Sequence, residues 1–392
     1  MAGADDVVAG AGMAAGADVV VAGAGMARLA AGADVVVAGA GMAGLAAAAE
    51  ARRLGARPLV LEKLSRAGGS MRLSSGVIWR HRAFSRFREE CPDGDERLQR
   101  LIFERLDDDL HWLDALGAPA LQRDTCNPLT IGTRFDPEGL TQALVEQIAP
   151  VQVQSPVLER PAGVPFVLAM GGFGASRDLL RAHVTPEADH AFLRAAPGST
   201  GDGLRIGLEA GAATGAGLDQ VYARAMPAPP ARIGASDLVR LSQLYARHAN
   251  VTNERGERYE KRTWSETDVA QWQLRQPRAR AWFTVRSERL GERVRERTVA
   301  EMVDAAEEAG APVRRGEDDV TVETVAGVTT TLGGLAIDEH ARALDEHGRP
   351  VDGLFACGAD AGGIATGGYA SGLAAALVFG RIAARAALGE SP

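Results

Sequence analysis

The chain has 392 residues, with 51 acidic against 43 basic side chains and a net charge of −8 at pH 7. A chain of this length buries a large core, and we expect two or three domains, or one large α/β domain with an insert. The acidic balance excludes nucleic acid as the expected partner. Because no stretch of about 18 apolar residues occurs, no membrane span is expected, and the acidic start argues against a signal peptide.

The first 45 residues contain the same motif three times, at Gly3–Ala14, Gly16–Ala27 and Gly32–Ala43. A phosphate-binding loop needs a full helix behind it, and only the third copy is followed by a helix and a second strand. Residues 1–30 are therefore predicted to be a degenerate repeat tail. Their deletion is expected to leave the content of bound ligand and the melting temperature nearly unchanged.

The third copy begins a dinucleotide-binding pattern. A β-branched strand over 34–38 leads into Gly39-Ala40-Gly41-Met42-Ala43-Gly44, and a helix to about Leu54 and a strand at Pro58–Leu61 follow. Glycines at these positions allow a tight turn and close approach of a pyrophosphate to the helix N-terminus. Glu62, which ends the second strand, suits a ribose hydroxyl.

Further motifs follow in a fixed order: the Gly- and Ser-rich run over 62–76, F-V-L-A-M-G-G-F at 166–173, G-S-T-G-D-G at 198–203, G-L-F-A-C-G-A-D at 353–360, and the loop and helix over 367–381. Together they resemble the FAD-dependent succinate dehydrogenase and fumarate reductase flavoprotein family. The resemblance is nearer to the 3-ketosteroid dehydrogenase branch. It implies an α/β fold, in which a Rossmann-like FAD-binding domain carries an inserted, smaller α+β capping domain.

The resemblance also implies the domain order and the cofactor contacts. The FAD-binding domain covers 31–217 and 326–392, the capping domain covers 218–325, and a hairpin is expected around Glu254–Glu257. FAD is expected to be non-covalent, since no histidine lies within 66–76. The expected cofactor-binding residues are Gly39, Gly41, Met42, Ala43, Gly44, Glu62, Lys63, Gly69, Ser70, Ser75, Gly76, Gly171, Gly172, Thr200, Gly201, Asp202, Gly358, Asp360, Ser371 and Leu373. Among these, Asp360 would meet the flavin ribitol, and the last helix would point its N-terminus at the flavin.

The expected chemistry is hydride transfer between flavin N5 and a carbon next to a carbonyl or carboxylate. By resemblance to the ketosteroid dehydrogenases, Tyr369 would polarise a ketone, although the family's glycine four residues later is Leu373 here. Tyr245, with His248 beside it, is the expected proton acceptor. Reduction of fumarate is disfavoured, because the family's histidines are replaced at Thr329–Thr331 and its arginine is absent from Gly368–Gly372.

Several alternatives stay open at this stage. Tyr369 could pack on the flavin without a chemical role, and Tyr245 and His248 could be an aromatic residue and a solvated imidazole at a helix end. Arg247, Arg258 and Arg262 could bind a carboxylate. The chain could instead be an oxidase of an amine or hydroxyl substrate, or a flavin-binding protein without catalysis.

The three cysteines, Cys91, Cys126 and Cys357, are far apart and lack Cys-x-x-Cys spacing. This argues against a disulfide framework and a zinc site, and favours a reducing cytoplasm. We therefore expect a cytoplasmic enzyme with no metal, whose partners are a small-molecule substrate and an unidentified electron donor or acceptor.

Overall fold

A computed structural model describes residues 24–260 and 266–390. The first repeat, most of the second and Arg262 lie outside these ranges. The helices of the described part are α1 Ala24–Ala30, α2 Met42–Arg53, α3 Phe84–Glu90, α4 Glu96–Ala115, α5 Pro137–Ile148, α6 Arg177–His183, α7 Asp202–Glu209, α8 Thr267–Leu274, α9 Val299–Glu308 and α10 Gly372–Ala387. Its strands are β1 Val35–Ala38, β2 Pro58–Leu61, β3 Val77–His81, β4 Ala120–Gln122, β5 Thr130–Phe135, β6 Phe166–Leu168, β7 Phe192–Leu193, β8 Val221–Pro227, β9 Asn250–Thr252, β10 Arg280–Arg286, β11 Arg293–Val294, β12 Arg297–Thr298, β13 Val313–Arg315, β14 Asp319–Thr331, β15 Arg342–Leu344 and β16 Pro350–Ala356.

A five-stranded sheet lies at the centre of the larger part of the molecule, in the order β15-β16-β6-β1-β2. The four strands from β16 to β2 run parallel, and only β15 is antiparallel. Every residue of β1 is buried, which explains its unbroken apolar sequence, since a parallel strand is covered on both faces. The predicted α/β fold with a parallel sheet is therefore confirmed.

Helices α2 and α10 pack closely against each other beside this sheet. The facing side chains are small: a Cβ at Gly380 would overlap the carbonyl oxygen of Ala43 and would also press on Ala46. Alanine and glycine at the contact allow the two backbones to approach, which holds the N-termini of both helices at the same side of the sheet.

A buried ion cluster ties α2, α4 and α10 together. The carboxylate of Glu50 accepts hydrogen bonds from Arg381 at 3.0 Å and from Arg385 at 2.7 Å, and Arg381 also binds Asp109. Although burial opposes ionisation, these arginines and Arg53 lower the pKa of Glu50 to about 2. The pairing within this cluster compensates for the burial of its charges, since an unpaired buried charge would strongly destabilise the fold.

A second sheet has the order β13-β14-β10-β9, and β7 and β8 also pair with β14. It encloses a separate, smaller core that runs from Ala225 to Val322 along the chain and includes Tyr245 and Phe283. The predicted hairpin turn is present, because the Asn253 amide donates to the Glu257 carbonyl at 3.0 Å.

Residues 151–165 differ from the strand-like segment that their composition suggests. Within this segment Gln152 forms a β-bridge to Leu61 and Val157 is a second isolated bridge residue, but no strand forms before β6 begins at Phe166. Pro156, Pro161 and Pro165 lack the amide hydrogens that a ladder would need, which explains the irregular path.

Helix α1 contributes to the main core, although it lies within the predicted tail. Met26 is 1% exposed, whereas Leu29 on the same helix is 40% exposed. Deleting residues 1–30 would therefore also remove a packed side chain, so the expectation of an unchanged melting temperature is revised.

We expect Met26→Ala to lower the free energy of unfolding by about 2–5 kcal/mol, because it leaves a cavity in a packed core. Urea denaturation measures the change. Leu29→Ala is the matched control and should stay within about 0.5 kcal/mol of the wild type. Equal, small effects of the two variants would contradict the packing of α1.

Candidate active site

A cavity of about 370 Å³ opens at the carboxyl ends of the parallel strands. Its wall includes the residues that directly follow four strands: Gly39 after β1, Glu62 after β2, Ala169 after β6 and Cys357 after β16. Open α/β sheets bind their ligands in this crevice, because loops and helix N-termini from neighbouring strands converge there. The opposite wall comes from the second sheet and includes Tyr222, Arg224 and Thr330.

The three glycines after β1 have different structural roles. A Cβ at Gly39, whose φ is +100°, would overlap the Ala169 carbonyl oxygen, and a Cβ at Gly44 would overlap that of Gly39. Apart from its chain neighbours, no described residue lies within 4 Å of the Cβ position of Gly41, which lines the cavity and leaves the N-terminus of α2 without a side-chain cap. Gly39 and Gly44 thus allow close contacts between backbone segments. Gly41 keeps the space in front of the first amides of α2 open, and these amides form a cradle that fits a pyrophosphate.

Glu62 organises the loops around this cradle. Its carboxylate accepts the amide hydrogens of Ala40 and Leu64, each at 2.8 Å, and the residue is 7% exposed. Because Glu62 also lines the cavity, its remaining oxygen lone pairs can accept hydrogen bonds from ribose hydroxyls.

Lys63 joins the loop after β2 to the loop before α7. Its ammonium donates to the Thr200 hydroxyl at 2.6 Å and to the Asp202 carboxylate at 2.8 Å. Although burial opposes ionisation, the hydrogen bonds from Lys63 and Thr200 hold the pKa of Asp202 below its usual range. Two motifs that lie about 140 residues apart thus meet at one edge of the cavity.

The sequence predicts that the Asp360 carboxylate meets the flavin ribitol, but in the structure this carboxylate binds backbone amides within the protein. Its carboxylate accepts the amide hydrogens of Met170, Gly171 and Gly172, and the residue is 1% exposed and absent from the cavity wall. Burial raises the pKa of Asp360 to about 6, against the effect of these hydrogen bonds. The acid thus holds the turn after β6 in place, and its expected contact with the flavin ribitol stays a prediction.

Fourteen of the twenty expected cofactor residues line the cavity: Gly39, Gly41, Met42, Ala43, Glu62, Lys63, Gly69, Ser70, Ser75, Gly171, Asp202, Gly358, Ser371 and Leu373. The other six lie behind the wall: Gly44, Gly76, Gly172, Thr200, Gly201 and Asp360. Three of these six have positive φ and close neighbours, since a Cβ would overlap Phe135 at Gly76, Thr331 at Gly172 and Leu179 at Gly201. These glycines shape the loops around the cavity, and their contact with the cofactor stays a prediction.

Tyr369 lines the cavity and stacks on Tyr222, with ring centroids 3.8 Å apart and ring planes 10° apart. Its hydroxyl accepts the Gly372 amide hydrogen at 3.2 Å, at the start of α10, and the Ser371 hydroxyl accepts that of Ala374 at 3.3 Å. Two of the amides that were expected to face the flavin are therefore already bound within the protein. Burial and the neighbouring Tyr222 raise the pKa of Tyr369.

Tyr222 was missed by the sequence analysis. The Nε of Arg224 donates a hydrogen bond to its hydroxyl at 2.7 Å. Although burial opposes it, the charges of Arg224, Arg194 and Arg295 lower the pKa of Tyr222. A usable signal was present, because two polar residues two positions apart on an otherwise apolar strand point to the same face.

The expected proton acceptors do not reach the cavity. Tyr245 is fully buried in the second core against Phe283, its hydroxyl has no hydrogen-bond partner among the described residues, and burial raises its pKa. His248 is half-buried in a short 3₁₀ turn and is likewise absent from the cavity wall. Their role as proton acceptors stays a prediction, which the position of Tyr245 in the second core does not favour. Arg247 lies 3.8 Å from Glu266, and Arg258 is exposed.

A model of the family described as "FAD binding domain" matches residues 34–131 and 134–373. No curated protein sequence matches the chain. Among solved structures, an open flavocytochrome c3 fumarate reductase is similar with a TM-score of 0.68 and 22% identity, over 91% of this chain and 78% of that chain. A 3-ketosteroid Δ4-(5α)-dehydrogenase from Rhodococcus jostii RHA1 has a TM-score of 0.67 and 20% identity, over 91% and 96%.

A 3-ketosteroid Δ1-dehydrogenase from Sterolibacterium denitrificans is similar with a TM-score of 0.67 and 16% identity, over 91% of this chain and 99% of that chain. At these identities the structures establish a shared fold, and the family match covers most of the chain. The resemblance seen in the motifs and the expectation of FAD are thereby confirmed. The chain belongs to the FAD binding domain family, and FAD is its cofactor.

Proposed function

We propose that this FAD-dependent oxidoreductase transfers a hydride between flavin N5 and a carbon next to a carbonyl or carboxylate, and that Tyr369 and Tyr222 act on the substrate. Bound FAD supplies the hydride acceptor or donor. The fourteen lining residues are proposed to hold it. The observation that carries the proposal is the pair of stacked phenols in the cavity that the FAD loops also line.

Both phenols have a hydrogen free for a ligand. Tyr222 accepts from Arg224, and a guanidinium can only donate, so the hydroxyl hydrogen of Tyr222 must point elsewhere. Tyr369 likewise accepts from the Gly372 amide. Within the described residues, neither hydroxyl donates to a protein acceptor. Two phenolic hydrogens are therefore available in the cavity, to donate to an oxygen or a carbon atom of the substrate.

The two phenols are suited to different tasks. Burial raises the pKa of Tyr369, which keeps it protonated and able to donate a hydrogen bond to a carbonyl as negative charge develops. The arginines lower the pKa of Tyr222, so this phenol exchanges a proton more readily with the neighbouring carbon. Paired groups whose pKa values are moved in opposite directions are typical of acid and base partners. Tyr222 takes the role that the sequence analysis gave to Tyr245.

We expect Tyr222→Phe to slow flavin reduction by about 10²–10⁴-fold, the usual contribution of a positioned acid or base. The ring and its stacking on Tyr369 are retained, so FAD content should not change. Anaerobic stopped-flow absorbance of the flavin measures the rate. Tyr245→Phe is the matched control, since its hydroxyl lies outside the cavity, and it should react as the wild type does. A slow Tyr245→Phe beside a normal Tyr222→Phe would reverse the assignment.

The substrate is found by an anaerobic screen against the bound flavin. Saturated ketones and carboxylates are added to the oxidised protein, and their α,β-unsaturated counterparts are added to the dithionite-reduced protein. Bleaching or reoxidation of the flavin by such a compound supports the proposal. Reduction only by amines or alcohols would favour an oxidase, and no reaction with any class would favour a flavin-binding protein without catalysis.

We propose further that 31–217 and 326–392 form the FAD-binding domain and 218–325 the cap, a division supported by the separate core around Tyr245. A cytoplasmic location is proposed because Cys91, Cys126 and Cys357 are free thiols. Among the described residues, no helix is long and apolar enough to cross a bilayer.

A further inference from the structure

Arg194 is a buried positive charge in the wall of the cavity. The residue directly follows β7 and is 8% exposed. Its Nε donates to the carbonyl oxygen of Leu238 at 3.3 Å, and one terminal nitrogen donates to the Thr329 hydroxyl at 3.1 Å. Both acceptors are uncharged, and no aspartate or glutamate of the described residues forms an ion pair with Arg194.

Two other cations that line the cavity have a carboxylate close to them. Lys63 lies 2.8 Å from Asp202, and Arg224 lies 4.0 Å from Glu266. Burial lowers the pKa of Arg194, but a guanidinium stays protonated in a protein. A buried charge is costly unless an opposite charge compensates for it. A negative charge that arises in the cavity would therefore be stabilised by Arg194.

The position of Arg194 separates it from the glycine cradle after β1. Two residues further along the chain, the amide of Ala196 donates to the Ser70 hydroxyl at 2.9 Å. On the other side of the turn that holds Ser70, a Cβ at Gly69 would lie 3.4 Å from the Cα of Gly41. This turn thus lies between the cradle and the segment that begins at Arg194.

Arg194 lies instead near the stacked Tyr222 and Tyr369, which we call the tyrosine pair. The guanidinium and the two phenols act on one another electrostatically, and all three side chains line the cavity. Thr329, which accepts a hydrogen bond from Arg194, lies on β14 beside β8, the strand that carries Tyr222. The charge of Arg194 is therefore in the part of the cavity where the hydride transfer is proposed.

Hydride transfer changes the charge of the flavin. A hydride brings two electrons and one proton to N5, so the ring system gains one negative charge until a further proton binds. A fixed cation in surroundings of low dielectric constant stabilises this charge, and it acts more strongly on the reduced ring than on the neutral oxidised ring. The difference between the two states is measured directly as a higher reduction potential.

We infer that Arg194 raises the reduction potential of bound FAD, because its buried charge has no carboxylate partner among the described residues and lies beside the tyrosine pair. This inference rests on the proposed function for the position of the reacting ring. A higher potential makes the flavin a stronger hydride acceptor. Arg194 therefore favours the removal of a hydride from the substrate over the reverse reaction.

The reduction potential of the purified, FAD-loaded protein tests the inference without a substrate. It is measured from the absorbance of the flavin and of a reference redox dye during slow anaerobic reduction. We expect Arg194→Gln to lower the potential by about 30 mV or more, which corresponds to a tenfold change in the equilibrium constant of a two-electron couple. Arg194→Lys retains the charge and should recover most of the potential. Arg194→Met is the second charge-free variant, and it is measured if the glutamine variant does not fold.

Arg289→Gln is the matched control, because Arg289 is exposed, pairs with Glu292 and does not line the cavity. It removes the same net charge and should keep the wild-type potential. The inference is overturned if a charge-free variant of Arg194 keeps the wild-type potential, or if Arg289→Gln lowers the potential equally.

The affinity for oxidised FAD distinguishes an effect on the potential from an effect on cofactor binding. A cation that acts on the reduced ring changes the affinity for reduced FAD and leaves the affinity for oxidised FAD nearly unchanged, as linkage requires. Serial dilution of the loaded protein, followed by the fluorescence of released FAD, measures the dissociation constant of the oxidised form. Weaker binding of oxidised FAD at an unchanged potential would show that Arg194 serves the pyrophosphate, and it would overturn the inference.

The outcomes separate this inference from the proposed function. A lower potential in Arg194→Gln, beside a flavin that exchanges electrons with no carbonyl compound or carboxylate, would leave the redox role of Arg194 and remove the proposed hydride transfer. A wild-type potential in this variant, beside a carbonyl compound that reduces the flavin, would do the reverse.

Discussion

Gly41→Asp is expected to abolish FAD binding. The residue caps the N-terminus of α2 and lines the cavity, and the space at its Cβ position is open. An aspartate side chain would fill the cradle and place a negative charge where the pyrophosphate approaches. It would also occupy amides at the positive end of the helix that otherwise bind phosphate. The flavin-to-protein ratio after purification, and after incubation with added FAD, measures the loss.

The fold itself should survive this change, because no described residue other than the chain neighbours of Gly41 has an atom within 4 Å of its Cβ position. Gly291→Asp is the matched control: its Cβ position is also open, and it lies outside the cavity wall. It adds the same charge and should retain FAD. A Gly41→Asp protein that keeps stoichiometric FAD would show that the third repeat is not the working phosphate loop.

Tyr369→Phe is expected to slow hydride transfer by about 10²–10³-fold, or roughly 2.7–4 kcal/mol, the usual cost of one lost oxyanion donor. The phenol is proposed to bind the substrate carbonyl most strongly as the carbonyl gains negative charge. The aromatic ring is retained, so the stacking on Tyr222 and the bound FAD should be preserved. Stopped-flow measurement of flavin reduction, with an identified substrate, gives the rate for both proteins.

The variant also removes the acceptor for the Gly372 amide. We expect this loss to cost about 1 kcal/mol of unfolding free energy, which thermal denaturation detects separately from the rate. An unchanged reduction rate together with reduced stability would leave Tyr369 as a packing residue. The ketone-polarising role would then have to pass to another donor in the cavity.

Local sequence patterns were sufficient to predict those elements whose structure depends on residues close together in the chain. The segment from Val35 to Leu61 was predicted to form a strand, a glycine turn, a helix and a second strand. The structure has β1, α2 and β2 within one or two residues of the predicted bounds. The order of the motifs then indicated FAD, which the family match confirms. Strand propensity, glycine geometry and helix periodicity act over a few residues, so a sequence displays them directly.

The tertiary structure decided which side chains meet. Asp360 reaches the turn after β6, some 190 residues away, and this contact removes it from the cavity. Tyr222 meets Tyr369, and Arg194, Arg224 and Arg295 gather around them, because β7 and β8 pair with β14 and the turn before β12 faces the same wall. Tyr245 lies 18 residues after the end of β8 and enters the second core.

The sequence by itself thus determined the fold class, the cofactor and the phosphate cradle, each of which depends on short segments. The substrate wall depends on strand register and on the direction of each side chain from its sheet. The alternation along β8 indicates that Tyr222 and Arg224 share a face, but a shift of one residue in the strand register would turn both to the opposite side of the sheet. Only the packed sheets decide which phenol and which guanidinium face the cavity.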